Sequence, residues 1–463
     1  MRRVKMLRDM KKRFLEEFSN FTDAPPLYLE ASFWFIISST LGRFLETTTL
    51  PTFKIFRPNL WILLSGRTGL TRKSTVIDGS LTLVDEAYKT YFKKIYGPTI
   101  KENVLLARIN KMKLEFGSTE GVLEHISSTS EFNDTYIFYS HEFGAIISGI
   151  KDITYMKMLA PVLSRLYSGE EIIWKGVKKE RIIKPGLYTT GLFGIQELWI
   201  YTDQYVFQQG LMRRVILVYQ KETDKDKWLP PIDYTRVTRR ENLLSIGREI
   251  GEYMVELEGR LGHSNKRIIV DFEIDASDLI NKFAQERERE IMNDYSMYSL
   301  YASTIWHHVA KIAMLNAILQ REPTISGDFA FLFVKEEDVR EAINFIEKTL
   351  PRAREMIVRT ETRIVPAQIV DLTGPKMLIY NTIKNKCDLG ATYTDILNET
   401  RLPRDKVKEL LVQLLEEEKI IAIEKKSGKK VAVYYYVKEL EPKALTLGRQ
   451  VSIGELKAKW NIT

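Results

Sequence analysis

The chain has 463 residues, 44% of them hydrophobic, and a formal net charge of +8 from 69 Lys and Arg against 61 Asp and Glu. Such a length and apolar content exclude a disordered or low-complexity protein and point to two to four domains, while the charge permits nucleic-acid binding without demanding it. No apolar run is long enough for a membrane span, the lone cysteine, Cys387, excludes an intrachain disulfide and a Cys-based zinc site, and the histidines show no metal-ligand spacing.

The basic N-terminus has no apolar stretch of the secretory kind, so a cytosolic protein is expected. The richness in Lys, Glu, Ile and Arg is also that of hyperthermophile proteins. Residues 1–48 read as helical, with a Lys/Arg-bearing first helix, a break at Asp23-Ala24-Pro25-Pro26, and an apolar helix from Tyr28 to Phe44. A strand-forming patch, Thr49 to Phe56, follows. From Gly66 to about Tyr219, strands and helices alternate, which predicts a three-layer α/β core over 49–231. Lys221 to Pro231 reads as a linker. Residues 232–365 are expected to form a helical, lid-like region, with a short strand near Arg267 to Phe272 and a loop from Glu322 to Asp328. A module over 372–440 and a tail over 441–463 complete the chain.

The segment Trp61 to Thr75 carries the most chemistry. An apolar run ends in Ser65-Gly66, Thr68-Gly69 follow, and Arg72-Lys73-Ser74-Thr75 open a helix. A strand, a glycine-bearing turn and a helix beginning Lys-Ser-Thr form a phosphate cradle. Backbone N–H groups and the helix dipole meet a triphosphate, lysine reaches its terminal phosphates, and a hydroxyl takes Mg²⁺. Gly66, Thr68, Gly69, Arg72, Lys73, Ser74 and Thr75 are therefore the candidate ATP ligands, with Ser74 and Thr75 the candidate metal ligands. The loop is one residue longer than the usual pattern, and Arg72 stands where a glycine is expected.

A second strand should deliver an acid to the attacking water. Tyr136 to Ser140, ending in His141-Glu142, is the candidate, with a histidine where an aspartate is usual. A third strand, Gly186 to Leu192, offers Thr190 as a γ-phosphate sensor at its tip, with Gln196 close behind. Arg213 and Arg214 precede a further apolar strand. An arginine given to a neighbour's phosphates raises rates by ~10³–10⁵ in the best cases; a pair of solvated charges at a strand start is the plainer alternative.

The motif order brings a family into view. Its residues are Asp23-Ala24-Pro25-Pro26, Leu41-Gly42-Arg43, Arg57-Pro58-Asn59-Leu60-Trp61 and Gly117-Ser118-Thr119-Glu120-Gly121-Val122-Leu123. Ser140-His141-Glu142-Phe143-Gly144, Tyr167-Ser168-Gly169, Gly194-Ile195-Gln196 and Gly210-Leu211-Met212-Arg213-Arg214 continue the series. Over residues 24–233 the chain resembles the primase-associated, virus- and plasmid-type replicative helicase ATPases, and more distantly the MCM branch of AAA+ proteins. The resemblance implies a P-loop NTPase, AAA+-like, assembled as a hexameric ring with ATP between subunits. It assigns Lys73 and Ser74 or Thr75 to phosphate and Mg²⁺, Glu142 to the water, Thr190 to sensing and Arg214 to the neighbour's nucleotide. It also implies a DNA-contacting hairpin with Lys175, Lys178 and Lys179 as backbone ligands, although lysines at hairpin tips also blunt sheet edges. A basic second sensor is expected near Trp306 to Met314, at His308 or Lys311, where a plain packed helix is the alternative reading.

From Gly374 on, three helical segments and two alternating strands around Lys426-Ser427-Gly428-Lys429 resemble a winged helix-turn-helix. Arg404, Lys406 and Lys408 open its third helix and are candidate DNA contacts. The expected function is an ATP-dependent DNA helicase or translocase of a mobile element, without a membrane partner. The alternative is a nucleotide-binding replication initiator or DNA-binding regulator with weak or no ATPase activity.

Overall fold

The computed structural model describes residues 7–460 apart from 51–54, 98, 116–117, 132, 153–155, 157, 176–179, 198–209, 227–228, 230–234, 263–266, 293–295, 327–328, 365–374, 387–389, 401, 428–429, 439–443 and 445–447. The chain is α/β and divides into two compact units, Met1–Ile364 and Val365–Thr463.

The first unit opens with α1 (Met10–Phe21), which buries Met10, Phe14 and Phe18 on one stripe. Helix α2 (Pro26–Thr40) starts on a proline, whose missing N–H costs nothing at a helix start. From Tyr28 to Thr40, α2 is buried on every side, so its hydroxyls need partners. Ser38 Oγ donates to the Pro58 carbonyl at 2.8 Å, and Ser39 Oγ lies 2.8 Å from Thr190 Oγ1.

Next come β1 (Leu45–Glu46), β2 (Trp61–Ser65), α3 (Lys73–Tyr96), α4 (Glu102–Met112), β3 (Lys113–Glu115), α5 (Thr119–Thr129) and β4 (Thr135–Ser140). Helices α6 (Phe143–Asp152) and α7 (Leu159–Tyr167) lead to the antiparallel hairpin β5 (Ile172–Lys175) and β6 (Glu180–Ile183), then β7 (Tyr188–Ile195) and β8 (Val215–Tyr219). Five of these strands form a parallel sheet in the order β3-β4-β7-β2-β8. Every residue of β2 is buried, as a strand covered on both faces requires. Trp61 anchors the core edge-on against Phe138, Tyr167 and Phe193.

The unit continues with α8 (Arg236–Arg260), β9 (Ile268–Phe272), α9 (Ile274–Ile291), α10 (Met297–Ala302), α11 (Ile305–Gln320), β10 (Thr324–Ser326), β11 (Phe329–Val334) and α12 (Glu336–Ile364). A second sheet runs β1-β9-β11-β10, with β10 antiparallel to β11. The loop expected from Glu322 to Asp328 therefore contains strand β10. Its partner β11 buries Ala330, Leu332 and Val334 and turns Phe329 and Phe333 outward. Apolar residues on both faces hide the two-residue period from a reading of the sequence.

In the second unit, α13 (Pro375–Asn385), β12 (Ala391–Thr392), α14 (Tyr393–Thr400) and α15 (Arg404–Glu416) precede β13 (Ile420–Ser427), β14 (Lys430–Val437), β15 (Arg449–Gln450) and α16 (Ile453–Trp460). The strands form an antiparallel sheet, β12-β14-β13-β15, over a core that includes Ile379, Ile396, Val407 and Leu411. The tail docks on its own unit through β15 and through Trp460, whose ring lies 5.7 Å from that of Tyr393. Among the described residues no helix is long and apolar enough to cross a membrane.

Candidate functional site

Three strand ends meet at one edge of the parallel sheet. Ser65 of β2 pairs with Ile195 of β7, and Ser140 of β4 pairs with Phe193. The residues beyond those ends line a single cleft of about 210 Å³: Thr68, Gly69 and Arg72 to Thr75 after β2, His141 and Glu142 after β4, and Gln196 after β7. Open α/β sheets place ligands beyond the carboxyl ends of their strands for this reason.

The first turn of the loop is set by crowding at Gly66. A Cβ there would lie 2.5 Å from the Gln220 carbonyl oxygen and 2.7 Å from the Tyr28 hydroxyl. Tyr28 donates to the Ser65 carbonyl, and Ser65 Oγ donates to that of Gln196 at 2.7 Å. At the far end Arg72 takes a left-handed backbone, φ 56°. Its Nε donates to Asp23 Oδ1 at 2.9 Å, and Lys225 Nζ donates to Asp23 Oδ2 at 2.9 Å. Burial alone would raise the Asp23 carboxyl, but the hydrogen bonds from Lys225 and Arg72 outweigh it and hold it below the ordinary value.

Helix α3 then begins without a side-chain cap. Its first-turn bond runs from Val76 N to Arg72 O at 3.2 Å, which leaves the N–H groups of Lys73, Ser74 and Thr75 without an intrahelical acceptor. The positive end of a 24-residue helix therefore opens on the cleft. Lys73 is buried, and its ammonium donates to the Gly66 carbonyl. Burial lowers its pKa to about 8, against the pull of Glu142 and Glu197. Glu142 is exposed, and its N–H donates to Ser140 Oγ at 3.2 Å. His141 Nε2 lies 2.9 Å from Asp78 Oδ1, so a carboxylate from α3 stands against the histidine. Ser74, Thr75 and Glu142 together offer an all-oxygen donor set, the kind Mg²⁺ takes.

Other candidates lie elsewhere. Thr190 is not at a strand tip. β7 extends to Ile195, and Thr190 sits in its interior, fully buried and bonded to Ser39. Gln196 occupies the tip instead. Arg213 and Arg214 form a turn before β8, whose start pairs with Trp61 at the opposite end of the sheet from the cleft. His308 and Lys311 lie at that opposite end too, beside Arg213 and Arg214. Lys175 ends β5, while Lys178 and Lys179 lie outside the described residues. Arg404 is exposed at the start of α15; Lys406 pairs with Glu409 at 3.0 Å and Lys408 with Asp405 at 3.4 Å.

Asp23 and Lys225 went unassigned by sequence reasoning. Asp23 lies 49 residues before Arg72 and Lys225 lies 202 after Asp23, and no local spacing signals such a contact. No family model matches the chain, and no curated protein matches it.

Proposed function

We propose that this protein binds and hydrolyses a nucleoside triphosphate in the Gly66–Thr75 cleft and uses it to act on DNA, as a ring-forming, MCM-like P-loop ATPase of the helicase type. The observation that supports this best is the convergence, in one cleft, of an uncapped helix start, a buried lysine and an accessible carboxylate. In this reading the backbone N–H groups of Lys73 to Thr75 hold phosphate oxygens, and the Lys73 ammonium moves from the Gly66 carbonyl to the terminal phosphates. Glu142 orients the water. Ser74, Thr75 and Glu142 would hold Mg²⁺, which when bound neutralises phosphate charge. Gln196 takes the sensing place first given to Thr190. Arg213 and Arg214 serve the nucleotide of a neighbouring copy, because the length of the sheet separates them from their own cleft.

The second unit fits a winged helix. Its helix α15 carries three basic and three acidic residues, so it brings no net charge to a phosphate backbone. The hairpin β5–β6 is accordingly the favoured DNA element.

The test is steady-state ATP turnover with and without single-stranded DNA, for the parent and for Lys73→Ala. The parent should turn over ATP faster with DNA, and Lys73→Ala should lose turnover by at least about a hundredfold. Equal rates for the two proteins would remove the site assignment. One observation favours a second reading, a nucleotide-responsive DNA-binding protein without hydrolysis: His141, paired with Asp78, stands where an acid would serve the metal. Tight nucleotide binding with no turnover would select that reading.

A further inference from the structure

The strand end that faces the phosphate loop carries an imidazole where an acid is usual. His141 directly follows β4 and lines the cleft together with Ser74 and Thr75. At about 210 Å³ the cleft falls below the range of a site for a whole small molecule. It suits the phosphate end of a nucleotide and its metal, and its lining side chains surround one small volume.

Three contacts fix the place of His141. A Cβ on Gly194 would lie 2.9 Å from the His141 carbonyl oxygen, so the glycine on β7 lets that backbone in. The ring meets Tyr139 edge-on, with centroids 6.3 Å apart. Nε2 lies 2.9 Å from Asp78 Oδ1. A carboxylate only accepts, so Nε2 carries a proton and donates. In the neutral ring the lone pair is then on Nδ1, which has no hydrogen-bond partner among the described residues. Asp78 stands on α3, the helix that opens at Lys73. The side chains of His141 and Asp78 are 32% and 66% exposed, and a pair so exposed adds little to stability. What it does is orient the ring.

A histidine that binds a metal almost always donates its other N–H to a carboxylate, carbonyl or water. That partner sets the tautomer and raises the basicity of the ligating nitrogen. Asp78 and His141 have this form. The other donors in the cleft are the hydroxyls of Ser74 and Thr75 and the Glu142 carboxylate. One imidazole nitrogen among oxygens moves the preference away from Mg²⁺, a hard ion that takes oxygen, towards divalent transition ions, with Co²⁺ above Mn²⁺. Among the described residues no three of His, Cys, Asp and Glu gather as a metal cage. Phosphate oxygens of the nucleotide would therefore complete the shell.

We infer that His141, oriented by Asp78, is a metal ligand of the nucleotide cleft, and that the protein takes its nucleotide with Mn²⁺ or Co²⁺ in preference to Mg²⁺. The inference rests on the cleft being a metal–nucleotide site and changes which metal serves it.

The experiment uses the full chain and a non-hydrolysable ATP analogue at a fixed pH. Calorimetry gives the affinity of the analogue with Mg²⁺, Mn²⁺ or Co²⁺, and pulsed electron-spin resonance of the Mn²⁺ complex reads nitrogen bonded to the metal. The parent should bind the analogue at least about tenfold tighter with Mn²⁺ or Co²⁺ than with Mg²⁺, and its Mn²⁺ complex should show a directly bonded histidine nitrogen. His141→Asp should lose both the nitrogen signal and the preference while still binding the analogue with Mg²⁺. Asp78→Ala should weaken binding with Mn²⁺ by about 10–100-fold and alter binding with Mg²⁺ less than about threefold. Circular dichroism checks that both variants fold, as the exposure of the two side chains predicts. Analogue bound to the parent without a nitrogen signal, or a metal preference that His141→Asp leaves unchanged, would overturn the inference and leave the cleft's nucleotide reading standing. Failure to bind the analogue with any of the three metals would remove that reading and the inference with it.

Discussion

Arg72 stands where backbone freedom would favour glycine, and it holds a left-handed conformation that costs an L-residue about 1–2 kcal/mol. The bond to Asp23 is what makes an arginine tolerable there, because Asp23 is buried and also bound to Lys225. Arg72→Gly should therefore keep overall stability within about 1 kcal/mol, since relief of strain offsets the lost ion pair. Asp23→Asn should cost about 3 kcal/mol in urea denaturation, because it strips a carboxylate from two cations that face it. Lys73 gives a prediction in pH. A bound phosphate favours the ammonium form, and the free group titrates near 8. Nucleotide affinity should be flat below about pH 7.5 and fall as pH rises through 8, with proton uptake on binding in that upper range. A pH-independent affinity from 7 to 9.5, measured with a fluorescent nucleotide, would show that Lys73 does not meet the phosphate.

The strand–loop–helix unit at β2 and α3 is a local device, but its shape is held by distant groups. Gly66→Ala would drive a methyl into the Gln220 carbonyl and the Tyr28 hydroxyl. It should cost about 2 kcal/mol of stability and most of the nucleotide affinity, read by thermal melting and titration. Thr190 is the instructive failure. Gly186 to Leu192 contains the right residue types, but the strand runs three residues further, so its polar tip is Gln196. A strand's end is set by where its neighbours stop pairing, which a single segment does not reveal. Helix α15 makes the complementary point. Its apolar stripe, Val407, Leu410, Leu411, Leu414 and Leu415, is legible in the sequence and is buried. The pairing of Lys406 and Lys408 with acids on the same helix leaves Arg404 as its one cation with no ion pair among the described residues. Substituting Arg404, Lys406 and Lys408 together by alanine should change DNA affinity less than about threefold and barely alter its salt slope, a result that gel-shift titrations at several salt concentrations would check.

The parallel sheet separates two chemistries. Its carboxyl edge carries the cleft; its amino edge carries Arg213, Arg214, Lys311 and His308. Because β2 and β8 run parallel and in register from Trp61 and Val215, no movement of side chains brings Arg214 to its own Lys73. If hydrolysis requires that arginine, it must come from another copy. Mixing Lys73→Ala chains with Arg214→Ala chains, each inactive alone, should then restore ATP turnover, and restoration should grow with protein concentration. Two inactive variants that stay inactive when mixed would argue against a shared site.

The sequence alone determined the local units: an apolar strand ending in Gly66, a helix opening at Lys73, an acid at Glu142, and the amphipathic helices of the second unit. Each rests on hydrophobic period or turn chemistry within some fifteen residues, which a sequence displays directly. The order β3-β4-β7-β2-β8, the anchoring of Arg72 by Asp23, the burial of Thr190 and the gathering of Arg213, Arg214 and Lys311 near His308 came only with the folded chain. These depend on contacts between residues tens to hundreds of positions apart, and on the desolvation those contacts impose. Neither quantity is carried by any one segment.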